Sequence, residues 1–220
     1  MFRLNYLSIL CAIILSVSVY CEPASAALPP AAGSPSAYVR SDGINSVVSR
    51  GADGHVYEIF LRSGTWSTGD LSALSGAPNA AGNPIGYRRS DGVNSAVYRG
   101  SNGHIYELYL SGNAWAFGDL TALAGAPNAT GDPAGYWRSD DINALVYRGS
   151  DGHIYELYLS GSAWAFGDLT AFAGAPNAMG DPVGYRRSDD INAVVYSGSD
   201  GHIYELYLSG STWRVGKISP

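Results

Sequence analysis

The chain has 220 residues, a formal net charge of −6 at pH 7, and 46% hydrophobic residues. An acidic chain without a run of basic residues is a poor partner for nucleic acid or an anionic membrane, so we exclude both partner classes. The two cysteines, Cys11 and Cys21, lie near the amino terminus. The rest of the chain therefore offers no thiol for a disulfide or a cysteine-based metal site.

The first 26 residues have the order of a secretory signal peptide. Arg3 supplies a positive charge, residues 7–19 form an almost unbroken apolar run, and residues 24–26 offer small side chains for cleavage. The apolar run is shorter than the ~20 residues that a membrane-spanning helix requires. We therefore predict that residues 1–26 are removed and that the remaining chain is secreted.

A repeat of 49 residues accounts for the rest of the chain. Three residue types show it most clearly, because each recurs at the same interval in every unit. They are His55, His104, His153 and His202; Glu58, Glu107, Glu156 and Glu205; and Trp66, Trp115, Trp164 and Trp213. The unit boundaries are approximately 27–74, 75–123, 124–172 and 173–220. We treat residues 27–220 as one repeat domain.

Each unit is predicted to contain four short strands. In the second unit these are residues 85–89, 94–99, 104–110 and 115–121. Asn102-Gly103 marks a tight hairpin between the second and third strands, and Asp-Gly takes that position in the other units. Apolar and aromatic residues alternate onto both sides of the third strand, which predicts burial on both faces.

Four strands in a unit of this length are typical of a β-propeller blade. The sequence therefore predicts an all-β protein, a propeller of four blades. Four blades either close a small ring alone or are completed by a second chain in a homo-oligomer. No strand is left over to fasten the first blade to the last, which favours the oligomer.

The glutamate of the third strand and the tryptophan eight residues later form the candidate site. A carboxylate in an apolar strand is unfavourable unless it is paired or hydrogen-bonded. Carboxylates accept hydrogen bonds from sugar hydroxyls, and an aromatic ring stacks on the apolar face of a sugar, so this pattern favours carbohydrate binding between blades. The alternative is structural: each glutamate pairs with an arginine, and each tryptophan fills the core between blades.

Two series of arginines could contribute to such a site. Arg40, Arg89, Arg138 and Arg187 follow the tyrosine of the first strand and are either partners of the glutamates or donors to a ligand. A second series, Arg50, Arg99 and Arg148, ends the second strand, where the fourth unit has Ser197. The change to serine in one unit indicates a surface role, so we include the second series among the candidate carbohydrate-binding residues.

The repetition also bears on catalysis and metal binding. Each histidine follows an Asp-Gly or Asn-Gly turn, as expected of a residue that starts a strand and bonds to its turn, so we predict no metal or other cofactor. Acid–base catalysis needs groups in unequal environments, whereas these groups recur four times in similar settings. Linked equivalent sites suit multivalent binding instead. We predict a protein that is not an enzyme.

The second unit resembles the blades of the six-bladed fucose-binding lectins of fungi and bacteria. The resemblance rests on Val97-Tyr98, Gly103, Ile105, Glu107 and residues 115–118, and it recurs in every unit. It implies a sugar pocket between adjacent blades that uses a glutamate of the third strand, a nearby aromatic residue and an arginine of the second strand.

By position, Glu107 and Trp115 match the glutamate and the aromatic residue of those lectins, and the other three units match in the same way. The arginine is not matched, because its place is taken by Val47, Ala96, Leu145 and Val194. The leading hypothesis is a secreted, multivalent carbohydrate-binding protein whose ligand is fucose or a related sugar. The alternatives are a protein-interaction or structural propeller and, third, a propeller hydrolase or lyase.

Overall fold

The computed structural model describes residues 28–220, and the predicted signal peptide, residues 1–26, lies outside the described residues. The described chain contains sixteen strands and three short helices. The strands form four antiparallel sheets of four, each in sequence order and each within one predicted repeat unit. We call these sheets blades 1 to 4. Within residues 28–220, no helix is long and apolar enough to cross a membrane.

The elements follow one another with the same spacing in every blade. Blade 1 comprises β1 (Ser36–Val39), β2 (Asn45–Arg50), β3 (Val56–Arg62) and β4 (Thr65–Asp70). Blade 2 comprises β5 (Ile85–Arg88), β6 (Asn94–Arg99), β7 (Ile105–Ser111) and β8 (Ala114–Asp119). Blade 3 comprises β9 (Ala134–Trp137), β10 (Asn143–Arg148), β11 (Ile154–Ser160) and β12 (Ala163–Asp168). Blade 4 comprises β13 (Val183–Arg186), β14 (Asn192–Ser197), β15 (Ile203–Ser209) and β16 (Thr212–Lys217). The helices are α1 (Leu71–Ser75), α2 (Leu120–Ala124) and α3 (Leu169–Ala173).

The four strands predicted for each unit are confirmed, but the end of the fourth strand was wrong. In blade 2 that strand ends at Asp119, and the next residues begin α2. The Asp119 side chain accepts a hydrogen bond from the Ala122 N–H and caps the helix, and Gly125 ends it with φ of 65°. A capping carboxylate and a left-handed glycine compensate the free backbone groups of a very short helix.

The blades are arranged side by side as an arc. The first strands pack on one another in succession, β1 on β5, β5 on β9 and β9 on β13, so they line the inner side. Each helix packs on the fourth strand of the following blade, on the outer side. The apolar core accordingly consists of three clusters, one at each junction between consecutive blades.

Hydrogen bonds repeat at each junction. The side chain of Asn94 accepts a bond from the Ser41 N–H of the preceding blade at 2.7 Å. Asn143 accepts in the same way from Ser90 at 2.6 Å, and Asn192 from Ser139 at 2.7 Å. The junctions are therefore near-copies of one another, as expected when identical surfaces meet head to tail.

The arc is open in the described residues. Trp66 on the free face of blade 1 is 54% exposed, and Tyr185 and Ile203 on the free face of blade 4 are 38% and 37% exposed. In blades 2 and 3 the residues equivalent to Tyr185 and Ile203 are buried by the next blade. Blade 4 is therefore not packed on blade 1 within residues 28–220.

Candidate functional site

A cleft opens at each of the three junctions. We number them from the amino terminus; their volumes are about 540, 690 and 720 Å³. Each cleft joins an arginine and a glutamate of one blade to a tryptophan of the next. The sets are Arg40, Glu58 and Trp115 in the first cleft; Arg89, Glu107 and Trp164 in the second; and Arg138, Glu156 and Trp213 in the third.

The glutamates form ion pairs with the first series of arginines, and these pairs are largely buried in blades 1 to 3 and more exposed in blade 4. The distance from the arginine Nη1 to a glutamate oxygen is 3.3 Å in blade 1, 3.2 Å in blade 2, 2.9 Å in blade 3 and 3.1 Å in blade 4. Glu107 is only 2% exposed. Burial raises the pKa of Glu107 and of Glu156, and the positive charge of the paired arginine opposes that shift. The first arginine series therefore holds the carboxylates in place.

A hydroxyl group gives each glutamate a further hydrogen bond, but its source changes along the chain. In blade 2, Ser95 Oγ donates to Glu107 at 2.5 Å. In blade 3 the equivalent serine is Ala144, and the Tyr136 hydroxyl donates to Glu156 at 2.5 Å instead. In blade 1 the donor is a serine, Ser46, as in blade 2. In blade 4 it is a tyrosine, Tyr185, as in blade 3. The carboxylate geometry is thus kept by two different donors.

Each arginine of the first series also binds an exposed aspartate two residues later. Arg89 Nη2 lies 2.7 Å from Asp91, and Arg138 Nη2 lies 2.6 Å from Asp140. In blade 3 the contact is bidentate, since Arg138 Nε also donates to Asp140 at 3.0 Å. The arginine therefore bridges a buried and an exposed carboxylate, which fixes its planar head.

Aromatic and apolar side chains form the walls of the clefts. In the second cleft the guanidinium carbon of Arg89 lies 5.9 Å from the ring centroid of Trp164, a cation–π distance. Leu159 of blade 3 pairs with Trp164 and lines the same cleft. In the third cleft Leu208 occupies the equivalent position beside Trp213. The clefts thus combine flat apolar surfaces with fixed charged groups.

The tryptophan and the glutamate of one blade do not share a cleft. Trp115 pairs across the strands with Leu110, whereas Glu107 pairs with Gly118. Side chains alternate between the two faces of a strand, so Trp115 points to the face opposite Glu107. Glu107 consequently shares a cleft with Trp164, and Trp115 shares one with Glu58, so the glutamate and tryptophan predicted together in one unit contribute to different clefts.

The second arginine series lies outside the clefts. Arg99 approaches Asp132 at 3.7 Å and Arg148 approaches Asp181 at 3.6 Å, in the segments that lead into the next blade. Arg50 lies near Gly33, in the corresponding segment before β1. These three arginines are not brought together with the glutamates and tryptophans, and the first series takes the place beside the carboxylates.

The fourth set of predicted residues is divided between the two ends of the arc. Glu205 lies on the open face of blade 4, bound to Arg187 and to the Tyr185 hydroxyl. Trp66 lies on the open face of blade 1. Both halves of a fourth cleft are thus present but not in contact.

The histidines take part in the hairpins rather than in the clefts. His104 N–H donates to Asn102 in the turn, and its ring lies 2.7 Å from Asp119, the residue that caps α2. Within residues 28–220, no group of three or more histidine, cysteine or acidic side chains is arranged to hold a metal ion.

One apolar residue at the edge of each cleft was not predicted from the sequence. Leu74, Leu123 and Phe172 sit near the ends of the short helices, line their clefts and are exposed. Their recurrence at the repeat interval was visible in the sequence, as were the aspartate and glycine that cap each helix. The fourth strand was predicted to end at Thr121, which left Leu123 outside every predicted element, and recognising the helix would have placed it at the surface beside the cleft.

No protein-family model matches the chain, and no curated protein matches its sequence. Solved structures do match. A variant of the Aleuria aurantia lectin in complex with Fucα1-6GlcNAc has a TM-score of 0.62 and 16% identity over 84% of this chain and 63% of that one. AofleA from Arthrobotrys oligospora has a TM-score of 0.58 and 13% identity over 84% of this chain and 56% of that one. The SapL1 lectin in complex with α-methyl fucoside has a TM-score of 0.60 and 19% identity over 86% of this chain and 64% of that one.

The fold is that of a β-propeller. The Aleuria aurantia lectin is described as a six-bladed β-propeller, and the resemblance to the blades of such lectins is confirmed at the level of the fold. The present chain spans 56–64% of the length of the three lectin chains named above. Its four blades form an open arc rather than a closed ring.

Proposed function

We propose that this chain is a secreted, multivalent carbohydrate-binding protein with one sugar site in each of the three clefts. The observation that carries the proposal is that the same two surfaces form a cleft at each of the three junctions between blades. A tryptophan of one blade faces an arginine of the preceding blade, and that arginine is fixed between two carboxylates. Secretion is supported by the signal-peptide pattern of residues 1–26.

The clefts offer what a sugar ring requires. The Trp164 ring supplies a flat apolar plate for the C–H face of a sugar, and Arg89 supplies N–H donors for its hydroxyls. Asp91 and Asp140 keep exposed oxygens that accept from hydroxyls. Glu107 has a different role, because its oxygens are buried and already bound by Ser95 and Arg89. We assign it as the residue that positions the arginine.

Several of the solved neighbours were crystallised with fucosides, namely α-methyl fucoside and Fucα1-6GlcNAc. On that ground we propose a fucoside as the ligand class. We propose binding without catalysis, since the same groups recur in the same settings in all three clefts, and an acid–base pair needs unequal environments.

The test is a glycan array probed with the secreted chain, followed by calorimetry with α-methyl fucoside. We expect array binding that free fucoside abolishes, and three molecules of fucoside bound per chain when the chain is a monomer. A blank array with a folded chain contradicts the proposal.

A substitution of Trp164 by alanine tests the site itself. The variant loses the apolar plate of the second cleft, so we expect calorimetry to count one bound fucoside fewer per chain. Loss of one linked site also weakens avidity for a dense glycan surface. Arg99→Ala is the matched control, because Arg99 lies outside the clefts, and it is expected to bind fucoside as the unmodified chain does. Equal losses in both variants contradict the assignment of the clefts.

A protein-interaction or structural propeller is the second candidate. The observation that favours it is the burial of the arginine–glutamate pairs, since a carboxylate bound on both oxygens serves a purely structural role equally well. Glu107→Gln is expected to lower the melting temperature under either candidate, because it breaks the buried pair with Arg89. Under the structural candidate the array stays blank, whereas under the carbohydrate-binding proposal Trp164→Ala removes one fucoside site from a chain that remains folded, although loss of a side chain packed on the core also lowers the melting temperature.

A further inference from the structure

Each end of the arc carries half of a cleft. At the blade 4 end, Arg187 and Glu205 are held as in the other blades, with Nη1 3.1 Å from the carboxylate, but no tryptophan within residues 28–220 faces them. At the blade 1 end, Trp66 projects without an arginine or a glutamate opposite it, and its ring is largely exposed. The two halves are complementary in composition.

We propose that a second copy of this chain docks its blade 1 on blade 4 and thereby completes a fourth cleft, with Trp66 of the second copy placed over Arg187 and Glu205. The evidence for the docking is the apolar and hydrogen-bonding residues that the two faces expose. The statement that the new cleft binds a sugar rests on the proposed function.

The open face of blade 4 is apolar and unpartnered in the described residues. Ile203 is partly exposed, whereas its equivalents Ile105 and Ile154 are fully buried by the following blade. Tyr185 is likewise exposed, although the equivalent Tyr136 is buried. Covering this face restores the burial that every internal blade obtains, and removal of apolar surface from water favours the contact.

The open face of blade 1 has the matching surface. Val47 and Ile59 are half-buried, whereas the residues at the same positions in blade 2, Ala96 and Leu108, are fully buried against blade 1. Val47 and Ile59 pair with each other and lie on the same face of the blade as the exposed Trp66. Inside the chain, a face of this composition always packs on a face like that of blade 4.

The two faces also complement each other in hydrogen bonding. At each internal junction, an asparagine at the start of the second strand accepts from a serine N–H of the preceding blade. Asn45 holds that asparagine position in blade 1 and is exposed. Ser188 holds the serine position in blade 4 and is exposed as well. A second copy brings this acceptor and this donor together.

These features select a second copy of the chain as the occupant. The face of blade 4 requires a tryptophan on a fourth strand and an asparagine that begins a second strand, at the spacing found in a blade. Blade 1 presents both on an open face at the other end of the arc. The contact joins unlike surfaces and is heterologous, so repeated docking builds a ring or an extended assembly.

The completed cleft has the composition of the other three. One copy supplies Arg187, Glu205 and the exposed Asp189, which lies 2.8 Å from Arg187. The second copy supplies the aromatic plate, Trp66. Assembly and the number of sugar sites are therefore coupled: each contact between copies adds one site.

The experiment uses two variants, each with one end disabled. Trp66→Glu removes the aromatic plate and adds a negative charge to a cleft in which Glu205 and Asp189 already outnumber Arg187, so it disables the blade 1 face. Ile203→Glu places a charge in the apolar blade 4 face. Both positions are exposed in a single copy, so each variant is expected to fold. Leu123→Glu, at an exposed position near the end of α2, is the control for an added charge away from both faces.

Sedimentation velocity gives the masses. We expect the unmodified chain and Leu123→Glu to self-associate with rising concentration, and each end-disabled variant to remain a monomer alone. A mixture of Trp66→Glu and Ile203→Glu is expected to form a one-to-one dimer, because one working face remains on each partner. A monomeric unmodified chain, or a mixture that stays monomeric, overturns the docking.

Equilibrium dialysis with α-methyl fucoside then counts the sites. The mixed dimer is expected to bind one fucoside more than its two variants bind separately. Fucoside binding without a mixed dimer overturns the docking and leaves the three-cleft function standing. A mixed dimer that binds no fucoside supports the docking and overturns the carbohydrate-binding function.

Discussion

At the scale of single residues, the buried glutamates show how one geometry is kept by exchangeable donors. In blade 2 the Ser95 hydroxyl binds Glu107, and the buried Tyr87 hydroxyl has no hydrogen-bond partner in the described residues. In blade 3 Ala144 replaces the serine, and the Tyr136 hydroxyl binds the glutamate. A buried carboxylate needs its donors, but either hydroxyl reaches it.

This exchange predicts a strong coupling between Ser95 and Tyr87. We expect Ser95→Ala to cost less than about 1 kcal/mol, because the Tyr87 hydroxyl turns to Glu107 as in blade 3. Tyr87→Phe alone is expected to be nearly neutral, since it removes an unpartnered hydroxyl. In the Ser95→Ala background the same change is expected to cost about 1.5–3 kcal/mol, the usual range for a hydrogen bond to a charged group. A double-mutant cycle by chemical denaturation measures the difference.

The control for this cycle is in blade 3. Tyr136→Phe removes the donor that Glu156 already uses, so it is expected to cost about 1.5–3 kcal/mol as a single change. Additive costs for Ser95→Ala and Tyr87→Phe contradict the exchange of donors.

The residues of the candidate site were only partly predictable. The glutamate and tryptophan series were visible because a carboxylate and an aromatic ring recur in every unit. The partner of Glu107 was left open between an arginine and a ligand, since spacing along the chain does not show which side chains meet. The tryptophan that shares a cleft with Glu107 belongs to the next blade, because Trp115 lies on the opposite face of its own blade. Which face of a blade packs on which neighbour is decided only when the blades pack together.

At the scale of elements, the hairpin between the second and third strands differs among the blades in one useful way. The Tyr57 hydroxyl donates to Asp53 at 2.7 Å in blade 1, and the same contact occurs in blades 3 and 4. In blade 2 the aspartate is replaced by Asn102, whose side-chain amide donates to the Tyr106 hydroxyl at 3.0 Å. The hydrogen bond from Tyr57 lowers the pKa of Asp53 below its ordinary value of 3.8.

Asp53→Asn is predicted to remove an acid-sensitive part of the stability. A carboxyl group with a lowered pKa in the folded state stabilises the fold above pH 3.8, and that contribution is lost as the pH falls through the folded-state pKa. We therefore expect the unmodified chain to lose more stability on acidification than the variant does. Urea denaturation at pH values on both sides of 3.8 measures it.

The reverse change in blade 2 is the matched experiment. Asn102→Asp is expected to add stability above pH 3.8 that disappears on acidification, because Tyr106 can donate to the new carboxylate as Tyr57 does to Asp53. Parallel stability curves for the variants and the unmodified chain contradict this account.

The strands were predictable from alternation and turn signals, and the helices were not. Residues 120–121 continue the β-like composition of β8, and a helix of five residues has no periodicity to show. The sequence signals of this helix are its capping residues, Asp119 and Gly125. Asp119 also forms a hydrogen bond with the His104 ring. Thr121 adds a tertiary contact by accepting from the Ile105 N–H at 2.8 Å.

At the scale of the whole molecule, two of the differences between the end face of blade 1 and the internal faces bear on how tightly copies dock. Ser49 stands where blades 2 to 4 have a tyrosine, such as Tyr98, whose ring is buried in the apolar cluster between blades 1 and 2. Ala37 stands where those blades have a glycine, such as Gly86. Both changes weaken a contact that follows the internal pattern, so docking between copies is weaker than packing between blades.

Ala37→Gly is predicted to tighten the docking of two copies. At the internal junction between blades 1 and 2, a Cβ added at Gly86 would lie 2.4 Å from the Tyr38 ring, closer than real side chains approach. In a docked pair the Ala37 methyl group meets Tyr185 of the other copy in the same way and displaces it. Overpacking of this kind costs about 1–3 kcal/mol. Relief of even ~1.4 kcal/mol strengthens association tenfold.

The measurement is the dissociation constant of the mixed dimer, with Ala37→Gly introduced into the Ile203→Glu partner, which supplies the blade 1 face. The comparison with Gly86→Ala separates docking from folding. That change places the same methyl group inside the chain against Tyr38, so it is expected to lower the stability of the monomer rather than the affinity between copies. An unchanged or larger dissociation constant for Ala37→Gly means that the copies do not meet as the blades do.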